Sequence, residues 1–366
     1  MRLSRGRLIV AGLVALFLVG FVFLRGPTPH ITIKAETLQS VGPIDITNTM
    51  MTSWIVVIMM VAIVYVGTRR RDLVPRGFQN MFEAALEAFY NLVVSVAGEK
   101  NGRRFFPVVA TIFFFILVSN LLSLFPVFNV IGLFREEEHG FVMEQADVGP
   151  VAVTYTEFSR LSYSPPFDVS FPHAQSIDED DPDAAEQAEE AREDGKIVGQ
   201  LIPLFRGPNT DLNTPLALAI VSAIAVESWA LASLGIGYGK KFFNFGGAFR
   251  GLFRLNFGEF FRGAIDAFVG ILELISELVR LVSFTFRLFG NMFAGEVVIL
   301  MFTFLTPLIL TLPFYGLELF VGIIQAFIFA VLTLVFGMMA VAHGEAHAGD
   351  EEHKDDTGAL ASEAQS

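Results

Sequence analysis

Long apolar runs, separated by short basic segments, dominate the pattern of hydrophobic and polar positions along this 366-residue chain. The runs cover residues 8–24, 50–67, 105–126, 215–237, 264–307 and 317–343. A helix of about 20 apolar residues is long enough to span a bilayer. The run at 264–307 is too long for one upright span, so we predict that it is kinked, tilted or partly horizontal. The pattern as a whole predicts an all-α polytopic membrane protein.

The composition supports a membrane protein and excludes several kinds of site. Apolar residues make up 53% of the chain, 39 residues are phenylalanine, and the mean hydropathy is +0.56. A soluble globule has no surface on which to place so much hydrocarbon. Cysteine is absent, so disulfides, thiolate metal sites and cysteine nucleophiles are excluded.

The first apolar run lies within residues 1–29, which begin with the basic sequence MRLSRGR. A signal peptide has the same pattern, but no small-x-small cleavage site precedes Gly26, so we favour a retained membrane anchor. Either interpretation places residues 30–48 on the far side of the membrane. The next run ends in the basic segment 69–71, and short basic flanks mark the cytoplasmic side.

Residues 30–134 are predicted to contain several helices, and one of them differs from the apolar spans. Residues 74–98 have apolar positions at helical spacing, with Glu83, Glu87 and Asn91 on a separate stripe. This pattern predicts an amphipathic cytoplasmic helix near the membrane interface.

Two segments are rich in acidic residues and lie outside the predicted spans. Residues 135–208 form an insert whose middle reads SIDEDDPDAAEQAEEAREDGK, and residues 344–366 form the C-terminal tail. We expect the insert to be extracytoplasmic and the tail cytoplasmic, and both to be largely disordered. A calcium loop at 178–183 is an alternative, but the glycine and the terminal glutamate of an EF-hand are not at their spacing. Residues 209–343 form the predicted core.

Charged residues within the run 264–307 are the strongest candidates for function, because charge at membrane depth is costly. Glu273, Arg280 and Arg287 recur every seven residues, which puts them on one stripe of a helix with about 10.5 Å between neighbours. Polar residues one turn away extend this stripe at Ser276, Ser283 and Asn291. We predict a polar seam that lines a water-filled cavity.

Further polar residues lie close to this seam in sequence. Glu296 falls nearly opposite Arg287 on the same helix, about 13.5 Å further along, so we expect it to face a different compartment or a different helix. In the last helix Glu318 and Gln325 are again seven residues apart. Two antiparallel seams can therefore meet across a helical hairpin.

The charges of the seam have a structural interpretation and a functional one. Glu277 and Arg280 are three residues apart and can form an internal pair that locks the bundle together. Arg287 has no acidic residue three or four positions away in its helix. We therefore interpret Arg287 as a basic group that awaits a carboxylate from outside its helix.

Several segments resemble the a subunit of F-type ATP synthases, the stator protein of the membrane motor. The most specific one is SFTFRLFGNMFAGE at residues 283–296. Its companions follow the order of the family: VPRGFQNMFE (74–83), SNLLSLFP (119–126), TDLNTPLALA, which includes Asn213 (210–219), and IIQAFIFAVLTLVF (323–336). The resemblance runs from about residue 44 to residue 343, except for the insert.

The resemblance implies a fold in which upright helices accompany two long, strongly tilted helices that form a hairpin against a rotating ring of c subunits. It implies that Arg287 faces the ion-carrying carboxylates of the ring, favours their deprotonated form and blocks direct passage between two half-channels. Gln325 matches the family residue beside this arginine. The implied half-channel residues are Asn120, Asn291, Glu296 and Glu318 on the outer side, and Glu273 and Ser276 on the cytoplasmic side. The residues left as structural or undecided are Glu277, Arg280, Ser283 and Asn213.

The chain also departs from its relatives at several of these positions. Ser123 stands where some members have aspartate, Ala217 where some have serine, and Glu318 where some have histidine. Arg280 replaces a lysine of some relatives and keeps the charge.

The resemblance further implies partners and a location. The partners are the c-subunit ring, the b subunits of the peripheral stalk, the remaining ATP synthase subunits and membrane lipid, and no nucleic acid is expected. The location is the bacterial plasma membrane. The chain would perform no ATP chemistry itself, and neither a cofactor nor a metal is expected.

Two other classes of protein are alternatives. A stand-alone secondary transporter or ion channel can also bury Arg and Glu, but a transporter typically shows internal repeats, and we find no convincing repeat. A metalloenzyme site at His343, Glu345 and His347 is disfavoured because HGEAH is not the HExxH order.

Overall fold

The computed structural model describes most of the chain beyond the N-terminal segment. Its described residues are 12, 14–15, 31–69, 76–125, 128–129, 131–148, 151–156, 158–163, 169–174, 176–177, 182–235, 257–305 and 311–363. The predicted anchor at 1–29 therefore lies almost wholly outside the described residues.

Helices and strands follow one another in a simple order along the chain. The helices are α1 (Asn48–Arg69), α2 (Phe78–Ser123), α3 (Ala184–Glu193), α4 (Asn213–Leu234), α5 (Phe257–Leu305) and α6 (Thr311–Glu363). A short 3₁₀ turn covers Pro208–Thr210. The strands are β1 (Thr37–Val41), β2 (Ile44–Thr47), β3 (Gly132–Val148), β4 (Val151–Thr156), β5 (Phe158–Tyr163), β6 (Val169–Ala174), β7 (Ser176–Ile177) and β8 (Ile197–Pro203).

Four of the described helices are long and apolar enough to cross a membrane. These are α1, α2, residues Asn213–Ser233 of α4 and residues Thr311–Ala342 of α6. The described strands are confined to residues 37–47 and 132–203. The prediction of an all-α polytopic membrane protein is thus confirmed for the part of the chain that carries the apolar runs.

Helix α2 is interrupted at Gly98, which has φ 72° and ψ 167°. Glycine adopts a positive φ without the steric cost that other residues have, so the chain can turn here. The amphipathic helix of residues 74–98 was expected to end at this glycine. The described helix begins at Phe78, and the expected start at residues 74–75 lies outside the described residues.

The acidic insert differs from the expectation of disorder. Strand β3 pairs antiparallel with β4, β7 and β8, and β5 pairs with β6. The apolar residues Val142, Ile177 and Val198 are buried together with Ala188 and Ala191 of α3. These few apolar residues form a small core, although the segment as a whole is rich in acidic residues. The tail also differs, since α6 continues through it to Glu363; alanine and glutamate both favour helix.

The chain folds into two compact units, and each is described by itself. Unit 1 comprises residues Met1–Ile55, Ser119–Asp211 and Gly290–Ile323, and unit 2 comprises Val56–Val118, Leu212–Phe289 and Ile324–Ser366.

The core of unit 2 is built around Phe105 and Trp229. Their rings stack with centroids 4.2 Å apart, and Val93, Val109 and Leu334 are fully buried in the same cluster. Burying aromatic and branched side chains in this way stabilises each by about 1.5–3 kcal/mol relative to exposure in water. Exposure to lipid would cost far less, so close packing holds the helices together here.

Unit 1 is held by polar contacts at the start of α1. The Asn48 side chain donates to the Pro203 carbonyl at 3.1 Å, and the Asn48 backbone N–H donates to the Glu36 carbonyl at 3.1 Å. Thr49 donates from its hydroxyl to the Asp211 carboxylate at 3.1 Å. These bonds join the N-terminal hairpin, the end of the insert and the first described span.

Candidate functional site

The polar seam of α5 lines a cavity of about 450 Å³ in unit 2. We call this cavity A. The side chains that the seven-residue spacing placed on one stripe, Glu273, Arg280 and Arg287, all line it. Its other polar lining residues are Ser276, Glu277 and Ser283, and its apolar side comes from Leu332, Phe336, Met339 and Ala340 of α6.

Within cavity A, Arg280 is held by two contacts. It forms an ion pair with Glu277, three residues before it on α5. Its guanidinium carbon also lies 4.4 Å from the centroid of the Phe336 ring, at cation–π distance. Arg280 is therefore anchored between its own helix and α6, which is the structural interpretation given above for this pair.

Arg287 is joined to α6 through its backbone and not through its charge. The side-chain amide of Gln325, which is 3% exposed, donates to the Arg287 carbonyl at 2.8 Å. The Arg287 guanidinium carbon lies 6.0 Å from the Phe284 ring centroid. Among the described residues, no carboxylate forms an ion pair with Arg287.

A second cavity, of about 140 Å³, lies in unit 1, and we call it cavity B. The carboxylates of Glu296 on α5 and Glu318 on α6 both line it, together with Tyr315 and Thr303. Glu318 is 6% exposed, and its Oε1 atom has no hydrogen-bond partner among the described residues. Its carboxylate lies directly against Gly295, where an added Cβ would collide with it.

Asn120 lies in unit 1 and is fully engaged with other polar groups. It donates from its side chain to the Gly322 carbonyl at 3.0 Å and accepts from the Asn209 amide at 2.7 Å. It joins α2 to α6, but it is not in the lining of cavity B. Asn291 is exposed on α5, and Asn213 is exposed at the first turn of α4; both lie outside the lining of either cavity.

Two residues that the sequence analysis did not select contact Glu296 directly. Arg206 donates from Nη2 and Nε to Glu296 Oε2 at 3.2 and 3.3 Å, and Asn129 donates to Glu296 Oε1 at 2.8 Å. The ion pair is deeply buried, with side-chain exposures of 6% and 11%. The available signal was Arg206 itself, a basic residue in the apolar stretch LIPLFRGP immediately before a family segment.

The side chains of His343, Glu345 and His347, considered above as a metal site, lie outside the part of the chain whose side chains are described.

Comparison with known proteins identifies relatives over almost the whole membrane part. The model of the family "ATP synthase A chain" matches residues 50–337. The chain is 28% identical over 304 residues to ATP synthase subunit a of Moorella thermoacetica, which covers 83% of this chain and 95% of the relative. It is 25% identical over 307 residues to ATP synthase subunit a of Gloeobacter violaceus, covering 84% and 89%. It is 27% identical over 293 residues to ATP synthase subunit a 1 of Pelobacter propionicus, covering 80% and 87%.

Proposed function

Because the chain belongs to the ATP synthase a-subunit family, and is the multi-pass, proton-translocating stator subunit of that complex, we propose that Arg287 acts on the carboxylates of a c-subunit ring. The observation that carries this proposal is the free charge of Arg287 at the edge of cavity A. An arginine at membrane depth needs a partner, and none is supplied by the described residues of this chain.

The chemistry at Arg287 follows from electrostatics. A fixed positive charge favours the ionised form of a carboxylate that is brought beside it. Each ring carboxylate that rotates to Arg287 therefore releases its proton there. It cannot carry the proton past Arg287. The hydrogen bond from Gln325 fixes the helix backbone at this residue through the carbonyl group and does not use the guanidinium.

The two cavities correspond to two half-channels in this proposal. Cavity A, with Glu273 and Ser276, belongs to the path on the cytoplasmic side, and cavity B, with Glu296 and Glu318, belongs to the outer path. Protons enter by one path, travel on the ring and leave by the other. Asn120 and Asn291 do not line cavity B. We therefore assign them to the surroundings of the outer path and not to the cavity wall.

The lengths of α5 and α6 support the tilted hairpin. Helix α5 has 49 residues, which span about 73 Å at 1.5 Å per residue. The hydrocarbon core of a bilayer is only about 30 Å thick, so such a helix fits only when it is strongly tilted. Val279, Val282 and Phe286 on α5 are all more than half exposed, at 60%, 51% and 56%. We assign this apolar face to contact with the ring.

The remaining partners and the orientation follow from the same proposal. The b subunits and the other ATP synthase subunits complete the complex, and membrane lipid surrounds it. The cellular location is the bacterial plasma membrane. Basic residues such as Arg69, at the end of α1, mark the cytoplasmic side, so the insert is extracytoplasmic and the C-terminus is cytoplasmic.

Replacing Arg287 tests the proposal. We expect Arg287→Ala to abolish both ATP synthesis and ATP-driven proton pumping in membrane vesicles, while the complex still assembles and copurifies with its c subunits. Arg262→Ala is the matched control, because it removes an exposed arginine from the same helix. Proton pumping that survives in the assembled Arg287→Ala complex would refute the proposed role.

A further inference from the structure

Arg206 contacts both a cavity carboxylate and the N-terminal segment of unit 1. Besides its two bonds to Glu296, it donates to the Thr32 carbonyl at 2.8 Å, to the Lys34 carbonyl at 3.3 Å and to the Thr32 hydroxyl at 3.4 Å. A guanidinium carries five N–H donors in a rigid fork, so it can hold several acceptors at fixed positions.

We propose that Arg206 is a positioning residue for proton transfer in cavity B: its ion pair holds the Glu296 carboxylate in a fixed position, and leaves Glu318 as the carboxyl group that exchanges protons. This inference rests on the proposed function of cavity B as part of the outer half-channel. It assigns different tasks to two carboxyl groups that line the same cavity.

The contacts of Glu296 support a fixed position. Oε2 accepts from two nitrogens of Arg206, and Oε1 accepts from Asn129, so both oxygens are engaged. The ion pair of Arg206 and Glu296 is nearly inaccessible to solvent. Removing one partner of a buried ion pair is strongly destabilising, because the remaining charge is left without a partner. A carboxylate whose two oxygens are both held by donors has little freedom to turn.

Glu318 has the opposite surroundings. It is buried in α6, it lines the same cavity, and its Oε1 makes no hydrogen bond to any described residue. An oxygen without a protein partner can bond to an arriving proton carrier without first breaking an existing contact. The described titratable or charged groups that face Glu296 are Arg206 from the segment after β8, and Glu318 and Tyr315 from α6.

Arg206 also has a purely structural alternative. Its bonds to Thr32 and Lys34 could mean that it only braces the N-terminal segment against unit 1. The two roles differ in how they depend on Glu296. A bracing role is lost whenever the guanidinium is lost, whereas the positioning role matters only while Glu296 is a carboxylate that needs its partner.

A double-variant cycle separates these roles. ATP-driven proton pumping would be measured with a pH-sensitive dye in inverted membrane vesicles that contain the whole ATP synthase, for Arg206→Gln, Arg206→Lys, Glu296→Gln and the double variant Arg206→Gln/Glu296→Gln. The amount of assembled complex would be measured by copurification of the c subunits. The rate per assembled complex is the quantity compared.

We expect Arg206→Gln to slow pumping by about tenfold, within the range for directly coupled residues. Arg206→Lys keeps the charge but not the contact of two nitrogens with Oε2, so it should recover part of this loss. The double variant should pump faster than Arg206→Gln alone, because it removes the unpaired carboxylate together with its missing partner.

Three results would overturn the inference. They are normal pumping by the assembled Arg206→Gln complex, a double variant no faster than Arg206→Gln, and an Arg206→Lys variant that recovers none of the rate. If Arg206→Gln does not assemble, the double variant and Arg206→Lys decide: both must assemble and pump, or the inference fails. Arg287→Ala in the same vesicles separates the two proposals. Proton pumping by that variant refutes the proposed function. If Arg287→Ala abolishes pumping, but the effects of Arg206→Gln and Glu296→Gln simply add in the double variant, only the role of Arg206 is refuted.

Discussion

The side chain of Gln325 on α6 holds the backbone carbonyl of Arg287 on α5 through a hydrogen bond of 2.8 Å. The bond joins the parts of these two long helices that belong to unit 2, at the residue whose charge we assign to the ring. Because it uses the carbonyl and not the guanidinium, it positions the arginine without neutralising it.

Gln325→Leu should reduce ATP synthesis while leaving the complex assembled. The substitution removes the donor to the Arg287 carbonyl, and a hydrogen bond of this kind contributes about 1 kcal/mol. Gln325→Glu should be more harmful, because it adds a carboxylate that can neutralise Arg287. ATP synthesis by vesicles at a fixed proton gradient measures both effects. A Gln325→Glu variant that outperforms Gln325→Leu would contradict this account.

Glu318→Gln should slow proton flow through cavity B more than Glu296→Gln does. Glu318 has a buried oxygen without a hydrogen-bond partner among the described residues, whereas both oxygens of Glu296 are engaged. The initial rate of ATP-driven pumping measures each effect. Unchanged rates in both variants would remove these carboxyl groups from the proton path.

Gly295→Ala should impair pumping, because a Cβ at this position collides with the Glu318 carboxylate. Gly290→Ala on the same helix is the matched control, since an added Cβ there meets no described atom within 4 Å. Combining Gly295→Ala with Glu318→Asp, whose side chain is shorter, should recover part of the rate. Equal pumping by the Gly290 and Gly295 variants would argue against the close approach of Gly295 to Glu318.

Deleting residues 140–200 should leave ATP synthesis within about twofold of the intact protein, as expected for a surface insertion. The deletion keeps the pairs Gly132↔Pro203, Leu133↔Ile202 and Phe134↔Leu201 at the base of the insert. A longer deletion, of residues 132–205, should be far more harmful, because it removes the Pro203 carbonyl that Asn48 binds. Strong uncoupling by the shorter deletion would show that the insert takes part in translocation.

Local periodicity explains which parts could be predicted from sequence. The spacing of Glu273, Arg280 and Arg287 is set by helix geometry alone, and these side chains do line one cavity. The partner of Glu296 could not be found this way, because Arg206 lies 90 residues away in the chain. The contact depends on how unit 1 folds, and no short-range pattern encodes it.

The acidic insert shows a second reason why a structure can be missed from sequence. Its acidic residues suggested disorder, but Val142, Ile177 and Val198 come from three strands and meet only after those strands pair. Each of these strands contributes one residue to this core, so no single strand shows by itself that a core forms.

The bonds from Arg206 to Thr32 and Lys34 also bear on the order of events during biosynthesis. They join positions that are 174 and 172 residues apart. At roughly 5–20 residues per second, the ribosome reaches Arg206 about 9 to 35 s after it has passed Thr32. Two membrane spans and most of the acidic insert are synthesised before Arg206, the residue that binds the N-terminal segment, is present. Unit 1 therefore closes late, and a chain truncated before Arg206 lacks the residue that secures its beginning.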